Sequence, residues 1–408
     1  MICRSCSSVE FTSFADLGFA PPSNSYLTSE TKNTMEQHFP LRIFVCNSCY
    51  LAQTQDFADR NLFFNENYAY FSSYSQSWLL HCKKYVDQVI PKANLNRESF
   101  VVEVASNDGY LLDFFKSGDI PVLGIEPSES TAKVSQVKNI DTVVDFFSAE
   151  LASDLVQSHG FADLMIANNV LAHVPDINDF IKGFSILLKD EGFATFEFPH
   201  LLNLIKYSQF DTFYHEHYSY LSLIALTPIF ERHSLKLFDL EILNTHGGSL
   251  RIYVAKSNSS FHITENVRDA LEAEQKFGLK SLSTYLDFQK RYQEIKNEFL
   301  DFLITSKKAG KKIVAYGAAA KGNTLLNYCG IRSDVIEFVA DVNIHKQGMY
   351  LPGSCIPIVS IVELTESEPD IVIILPWNLS EEIVELLSSK LSERTEFYVA
   401  IPKLLKVR

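Results

Sequence analysis

The sequence predicts an α/β protein: two doubly wound units in series behind a small cysteine-bearing cap. Three observations predict it. Strand-like apolar runs alternate with helical patterns from about residue 99 to 256, and again from about 312 to the end, the arrangement that builds parallel sheets. A helical stretch of mixed charge separates the two. Two Cys-x2-Cys knuckles stand ahead of both. At 408 residues the chain is too long for one ordinary domain, and the pattern divides it into 1–70, 71–257 and 258–408.

Hydrophobic residues make up 46% and charged residues 21%, which is ample for buried cores. The net charge of −14 argues against a nucleic-acid binder, whose footprint is basic. A small anionic ligand is still allowed, because a local pocket can oppose the global charge. No apolar run of about eighteen residues suggests a membrane span. Met1 is followed at once by Cys3 and Cys6, and no signal segment is read there. The expectation is a cytoplasmic chain, monomer or homodimer, with neither membrane nor nucleic acid as partner. Its seven cysteines should then stay reduced.

Cys3-x2-Cys6 is followed by Cys46-x2-Cys49. Each knuckle turns tightly enough to aim two sulfurs at one ion, and tetrahedral zinc needs two knuckles. Four protein ligands make such a site closed and structural. Four reduced cysteines in a small β-rich cap is the alternative. Cys82, Cys329 and Cys355 have no partner at such spacing and read as buried thiols. Between the knuckles lie strand-like runs such as FPLRIFVC and the turn signal Pro21-Pro22. Residues 68–74 are rich in Tyr and Ser. They either line a ligand pocket or merely join cap to core. From about Ser75 an amphipathic helix follows, with Trp78, Leu79, Cys82, Tyr85, Val86 and Val89 on one side.

FVVEVASNDGYLLDFF then reads as a buried strand, a small-residue turn and a helix, and VLGIEPS as a second strand ending in an acid. The interval from Glu103 to Glu126 is close to the roughly 20 residues that separate a nucleotide turn from a ribose-binding carboxylate. The dinucleotide pattern G-x-G-x-x-G is absent, and Glu103 sits at the end of the first strand itself. That placement resembles class I S-adenosylmethionine (SAM) methyltransferases, whose sulfonium ligand needs no phosphate-cradling glycines. The resemblance implies a SAM site at Glu103, Ala105, Asn107, Gly109, Glu126, Asn168 and His173. ADLMIANNVLAHVPD and GFATFEFPHL continue the strands, and KLFDLEIL with SLRIYVAK reads as an antiparallel closing pair.

The string FDTFYHEHYSYL at 210–221 falls on the same rim of strand ends. It sets acidic, basic and phenolic groups within reach of each other, in a segment that reads as too polar for core. Such a set suits proton transfer next to a carbonyl, where a base must titrate near neutral pH. Alone it is also compatible with a solvated loop. Residues 265–309 read as a helical spacer. KKIVAYGAAAKGNTLLNYCG opens a second strand, turn and helix, and IEFVADVN ends its next strand at Asp341. DIVIILPWN and EFYVAIP read as further strands. The turn with Lys321 suits a helix N-terminus aimed at phosphate, although packing alone also requires small residues there.

The two knuckles, EVASNDGYLL, EFPHL with FDTFYHEHYSYLS, YGAAAKGNTLLN and ADVNIHKQG span nearly the whole chain. In this order they resemble the SAM-dependent sugar C-methyltransferases, which methylate ring carbons of nucleotide-linked deoxysugars. The resemblance implies a zinc-binding domain, a central Rossmann-like SAM domain and a second, C-terminal Rossmann-like α/β domain, with SAM and structural Zn2+ as cofactors. It implies His217 as general base, with Tyr214, His215 and Glu216 beside it and Tyr74 from the tyrosine-rich entry. Tyr70, Lys321, Asn323 and Asp341 are the expected contacts to a nucleotide-sugar substrate, a 4-keto-6-deoxysugar. Two other classes stay open: an O- or N-methyltransferase on another small substrate, and a non-enzymatic zinc and nucleotide binder.

Overall fold

Aromatic and β-branched residues recur along FTSFADLGFA and FPLRIFVC, and both runs form strands. β1 (Phe11–Ala20) pairs antiparallel with β2 (Phe39–Cys46), and β3 (Ala52–Thr54) pairs with β2. The computed structural model describes residues 1–57 and 72–408; the expected Tyr70 lies outside them. A fourth strand, Ser219–Tyr220, comes from far along the chain and pairs with β3, Ala52 opposite Tyr220 and Gln53 opposite Ser219. The His-rich segment therefore completes the cap's own sheet.

Helix α1 (Gln76–Lys92) starts where expected. Ser75 Oγ accepts the Trp78 N–H, and Cys82, Tyr85, Val86 and Val89 are buried. The central unit then runs β4 (Val101–Val104), α2 (Leu112–Lys116), β5 (Val122–Ile125), α3 (Glu129–Val137), β6 (Thr142–Val143), α4 (Ala149–His159) and β7 (Ala162–Asn168). It continues through α5 (Ile177–Leu187), β8 (Leu188–Pro199), α6 (Leu201–Lys206), the cap-pairing strand β9 (Ser219–Tyr220), α7 (Leu223–Arg232), β10 (Leu235–Leu243) and β11 (Ser249–Lys256). The sheet order is β10-β11-β8-β7-β4-β5-β6, with β11 antiparallel to both neighbours, so the expected closing pair forms. Strand direction of winding reverses between β4 and β7, and ligands of such sheets sit at the carboxyl ends of the strands there. All four residues of β4 are buried. A strand covered on both faces is normally apolar throughout, which makes Glu103 the exception.

The expected single spacer is three helices, α8 (Glu265–Phe277), α9 (Leu282–Leu286) and α10 (Phe288–Lys308). The first stops at Gly278, whose φ of +97° is a left-handed cap. The second unit follows: β12 (Ile313–Tyr316), α11 (Ala320–Cys329), β13 (Val339–Ala340), β14 (Ile358–Val359), α12 (Ile361–Glu366), β15 (Ile371–Ile374), α13 (Ser380–Ser388), β16 (Glu396–Val399) and β17 (Leu405–Lys406). Its sheet is ordered β14-β13-β12-β15-β16-β17, with β17 antiparallel and the rest parallel.

One continuous apolar core joins these parts: Phe14 and Ile43 of the cap, Phe210 and Phe213 of the His-rich segment, Tyr285 and Phe299 of the linker, Ile313 and Ile373 of the second sheet. Phe14 lies 5.5 Å from Phe213, 5.2 Å from Tyr285 and 5.0 Å from Phe288, ring centre to ring centre. Two expectations are corrected here. The His-rich segment is not too polar for core: Phe210, Asp211, Thr212, Phe213, His215, Glu216 and His217 are all buried, because its phenylalanines anchor it. Cys355 is exposed, whereas Cys82 and Cys329 are buried as expected. No helix among the described residues is long and apolar enough to cross a membrane.

Candidate active site

The segment from α6 to β9 owes its shape to its apolar residues. Phe210 and Phe213 insert into the core, and the turn between them and β9 presents the polar ones. His217 Nδ1 donates to Thr212 O at 3.1 Å. His173, from the short turn after β7, donates Nδ1 to Glu216 O at 2.9 Å. Each bond fixes a tautomer that leaves the basic lone pair on Nε2. The two rings meet edge to face at 4.6 Å, and Tyr214 lies over His217 at 3.9 Å. Burial and the neighbouring His173 hold His217 well below the usual histidine range. Burial takes His173 down to about 4. Both are neutral at neutral pH, the state a base requires.

Glu216 does not bond His217. Its Oε2 accepts the Asn24 Nδ2–H at 2.9 Å. Burial pushes the carboxyl up to about 7, against the lowering effect of Asn24. His215 turns toward the cap, where Nε2 donates to Phe39 O at 3.3 Å. Tyr74 is 57% exposed and its hydroxyl meets His345 Nε2 at 3.4 Å, so it faces the second α/β unit.

At the strand ends, the turn after β4 is built from strained backbone. Ala105 and Asn107 have φ of 56° and 51°, and Gly109 has φ of 73°. A Cβ on Gly109 would stand 2.6 Å from Ser135 Oγ and 2.7 Å from Ile140 Cδ1. Glu126 accepts Asn107 N–H and Ser128 N–H, both at 2.9 Å. Glu103 is buried, and burial with Asp108 and Glu126 nearby raises it well above the usual carboxylate range. Glu103 Oε2 and Asn168 Oδ1 are buried with no hydrogen-bond partner among the described residues. Orphaned buried acceptors at this rim fit a cationic ammonium or sulfonium end, and the Glu126 carboxylate fits ribose hydroxyls, so the residues suit SAM. His173 belongs in space with His217 as well as with this rim.

The second unit reaches the site through α11. Lys321 Nζ donates to His246 O at 3.4 Å and to Asn378 Oδ1 at 3.2 Å, over the Trp377 ring. Trp377 Nε1 donates to Asp211 Oδ2 at 2.7 Å, and burial raises Asp211 to about 6. Thr324 Oγ1 donates to Phe213 O at 2.8 Å. Asn323 Nδ2 donates to Ser23 O at 2.9 Å, so this amide binds cap to α11. Asp341 accepts the Ala318 N–H at 2.7 Å, as Glu126 does in the first unit.

Sequence reading missed Asn24, Asp211, His246 and Trp377. His246 has φ of 52° and lies 3.3 Å from Asn169 Nδ2 and 5.7 Å from the Trp78 ring. The Thr-His-Gly-Gly string, polar and glycine-rich beside a strand, was the available signal.

In the cap, Cys3 Sγ lies 3.5 Å from Cys49 Sγ, Cys6 Sγ lies 3.6 Å from Cys46 Sγ, and all four fall within 4.8 Å. Sulfurs at about 2.3 Å from one tetrahedral zinc ion stand about 3.8 Å apart. The set fits Zn2+ with all four positions taken by protein.

Comparison with known proteins agrees along the chain. Residues 3–64 match a family of zinc binding domains, 79–240 a methyltransferase domain family, and 244–402 the C-methyltransferase C-terminal domain. The C-methyltransferase NovU of Streptomyces niveus is 32% identical over 401 residues, 98% of this chain and 95% of that protein. Among solved structures, magnesium protoporphyrin IX methyltransferase of Synechocystis with bound SAM is 15% identical, covering 44% of this chain and 79% of that one, with a TM-score of 0.34. A SAM-dependent methyltransferase of Clostridium acetobutylicum is 11% identical, covering 43% of this chain and 91% of that one, with a TM-score of 0.36.

Proposed function

Since this chain belongs to the family of SAM-dependent C-methyltransferases, we propose that it methylates a ring carbon of a nucleoside-diphosphate 4-keto-6-deoxysugar, with His217 as the base. The observation that carries this is the buried, neutral His217, its tautomer set by Thr212 O and its ring walled by His173 and Tyr214. A ketone acidifies the hydrogen on the adjacent carbon. His217 Nε2 takes that proton, and the Tyr214 hydroxyl stabilises the enolate oxygen. Glu103, Asn107 and Glu126 would hold SAM, which would supply a methyl group to the enolate carbon and leave as S-adenosylhomocysteine. Proton removal by a placed base contributes about 10²–10⁴-fold, and one oxyanion donor about 10²–10³-fold.

The division into 1–70, 71–257 and 258–408 is proposed as a division of labour: cap, SAM unit and sugar-nucleotide unit. Lys321, Asn323 and Asp341 belong to the last, although Asn323 and Asp341 already bond Ser23 O and Ala318 N. The four cysteines hold Zn2+ structurally.

The test is incubation with 4-ketosugar nucleotides in heavy water, with and without SAM, followed by product mass. The expected result is deuterium exchange at one ring carbon, then SAM-dependent gain of one methyl. His217→Asn should lose exchange and turnover by at least about 100-fold while SAM affinity stays. Near-normal turnover in that variant would remove His217 from the role.

A further inference from the structure

The cap's residues 21–27 are threaded between the two α/β units. Pro21, Pro22 and Ser23 are buried. Ser23 O accepts the Asn323 amide at 2.9 Å, the Tyr26 hydroxyl donates to Ala318 O at 2.7 Å, and Leu27 bridges Tyr350. These three attachments to the second unit fix the segment on both sides of Asn24. From that fixed point Asn24 Nδ2 reaches Glu216 Oε2 at 2.9 Å. Glu216 is 3% exposed and sits between His215 and His217 on the turn that carries the base. On the other side of that turn, Thr54 Oγ1 donates to His217 O, and Thr54 N–H to Tyr218 O at 3.1 Å. Cap residues thus hold the backbone of the turn and its one carboxylate.

We propose that Asn24 is a positioning residue of the active site, through which the cysteine-bound cap orients the Glu216 carboxylate toward the substrate. The inference rests on the reading of 210–221 as the catalytic segment. A carboxylate accepts hydrogen bonds in its ionised form, so the Asn24 donor also favours the charged state. The other titratable groups around Glu216 are Tyr26 of the cap, Tyr220 of β9, His173 after β7 and His217 beside it; Lys346 lies farther out, over the Tyr26 ring. Among the described residues, Asn24 is the side chain that bonds the carboxylate directly.

Two readouts test it on the full chain. The first needs no substrate: the ¹³C resonance of the Glu216 carboxyl, assigned by its loss in Glu216→Gln, is titrated in wild type and in Asn24→Ala. Removal of the donor should raise the midpoint by about one pH unit. The second is turnover of a 4-ketosugar nucleotide across pH, where Asn24→Ala should lower kcat by about 10-fold and move its Glu216-dependent limb upward, with SAM affinity unchanged. Asn24→Asp is nearly isosteric and sets a second carboxylate against the first, so its midpoint should rise further. Zinc content of each variant reports that the cap is intact. An unchanged midpoint overturns the contact, and a shifted midpoint with unchanged kcat overturns the positioning role. If wild type turns over no ketosugar, the proposed function fails, while the titration still decides whether Asn24 governs Glu216.

Discussion

Glu216 is held at a cost to stability, and that cost can be measured. Its carboxyl is raised from 4.5 to about 7, chiefly by burial. Between about pH 4.5 and 7 the native protein keeps a proton that the unfolded chain has released, so stability falls as pH rises through this window. The penalty is complete above about 7 and absent below 4.5. Its size is on the order of 3 kcal/mol. Asp211, raised to about 6 by burial, adds a penalty of the same sign. Glu216→Gln removes the ionisation and keeps the shape. It should therefore unfold at a higher temperature than wild type at pH 8, and the gap should close at pH 4.5, while methyl transfer is reduced at both. Thermal melts at the two pH values check this; an equal gap at both would place the effect outside Glu216 ionisation. A role of Glu216 in the proposed active site would account for a group kept at such a cost.

At the scale of elements, the segment proposed as catalytic is bracketed by two helices that share one carboxylate. Glu274 of α8 is fully buried and accepts His200 Nε2 at 2.7 Å, Leu223 N–H at 2.7 Å and Ile224 N–H at 2.8 Å. His200 is the N-cap of α6, and the two amides open α7, so the ends of the bracket are fixed from the linker. Glu274→Ala orphans all three donors and should lose at least about 2 kcal/mol in urea unfolding. A loss below about 0.5 kcal/mol, the range of ordinary surface changes, would show that water replaces the carboxylate. Nothing in the sequence separates Glu274 from Glu272, two positions earlier and 61% exposed at its side chain; only the register of α8 against α6 and α7 does. The same reason explains what was and was not legible elsewhere. Cys-x2-Cys pairs, the EVASNDG turn and the His-x-His string are local patterns with local physics, and they were read. Alternating strands and helices gave both sheets and the closing β10–β11 pair. Asn24, Asp211 and Trp377 act across about 160 to 190 residues of chain, and β9 pairs with a strand it could not announce. The burial of the His-rich segment was misread because its polar residues outnumber Phe210 and Phe213, the two that decide where it goes.

At the scale of the whole molecule, a structural zinc bears on the proposed reaction. The cap's sheet ends in β9, two residues after His217. Its Thr54 and Asn24 hold the backbone and the carboxylate of the turn that carries His217. Arg4, between the first two cysteines, donates to Tyr218 O at 3.3 Å. For such a small cap the binding free energy of the ion is largely folding free energy, since the unfolded chain has no preformed four-sulfur site. Chelation should therefore release the cap's grip on residues 214–220 and reduce turnover at least about 10-fold. SAM affinity should change much less, because Glu103, Asn107 and Glu126, the residues proposed to hold it, are carried by β4, β5 and the turn between β4 and α2. The check is paired: metal content and kcat followed together during removal and re-addition of Zn2+, with SAM binding measured by calorimetry at each end. Recovery of kcat in step with zinc, at constant SAM affinity, is the expected result. Full turnover in a metal-free sample would mean that the shared core of Phe14, Phe213 and Tyr285 holds the turn by itself, and that the cap's sheet needs no ion once it is packed.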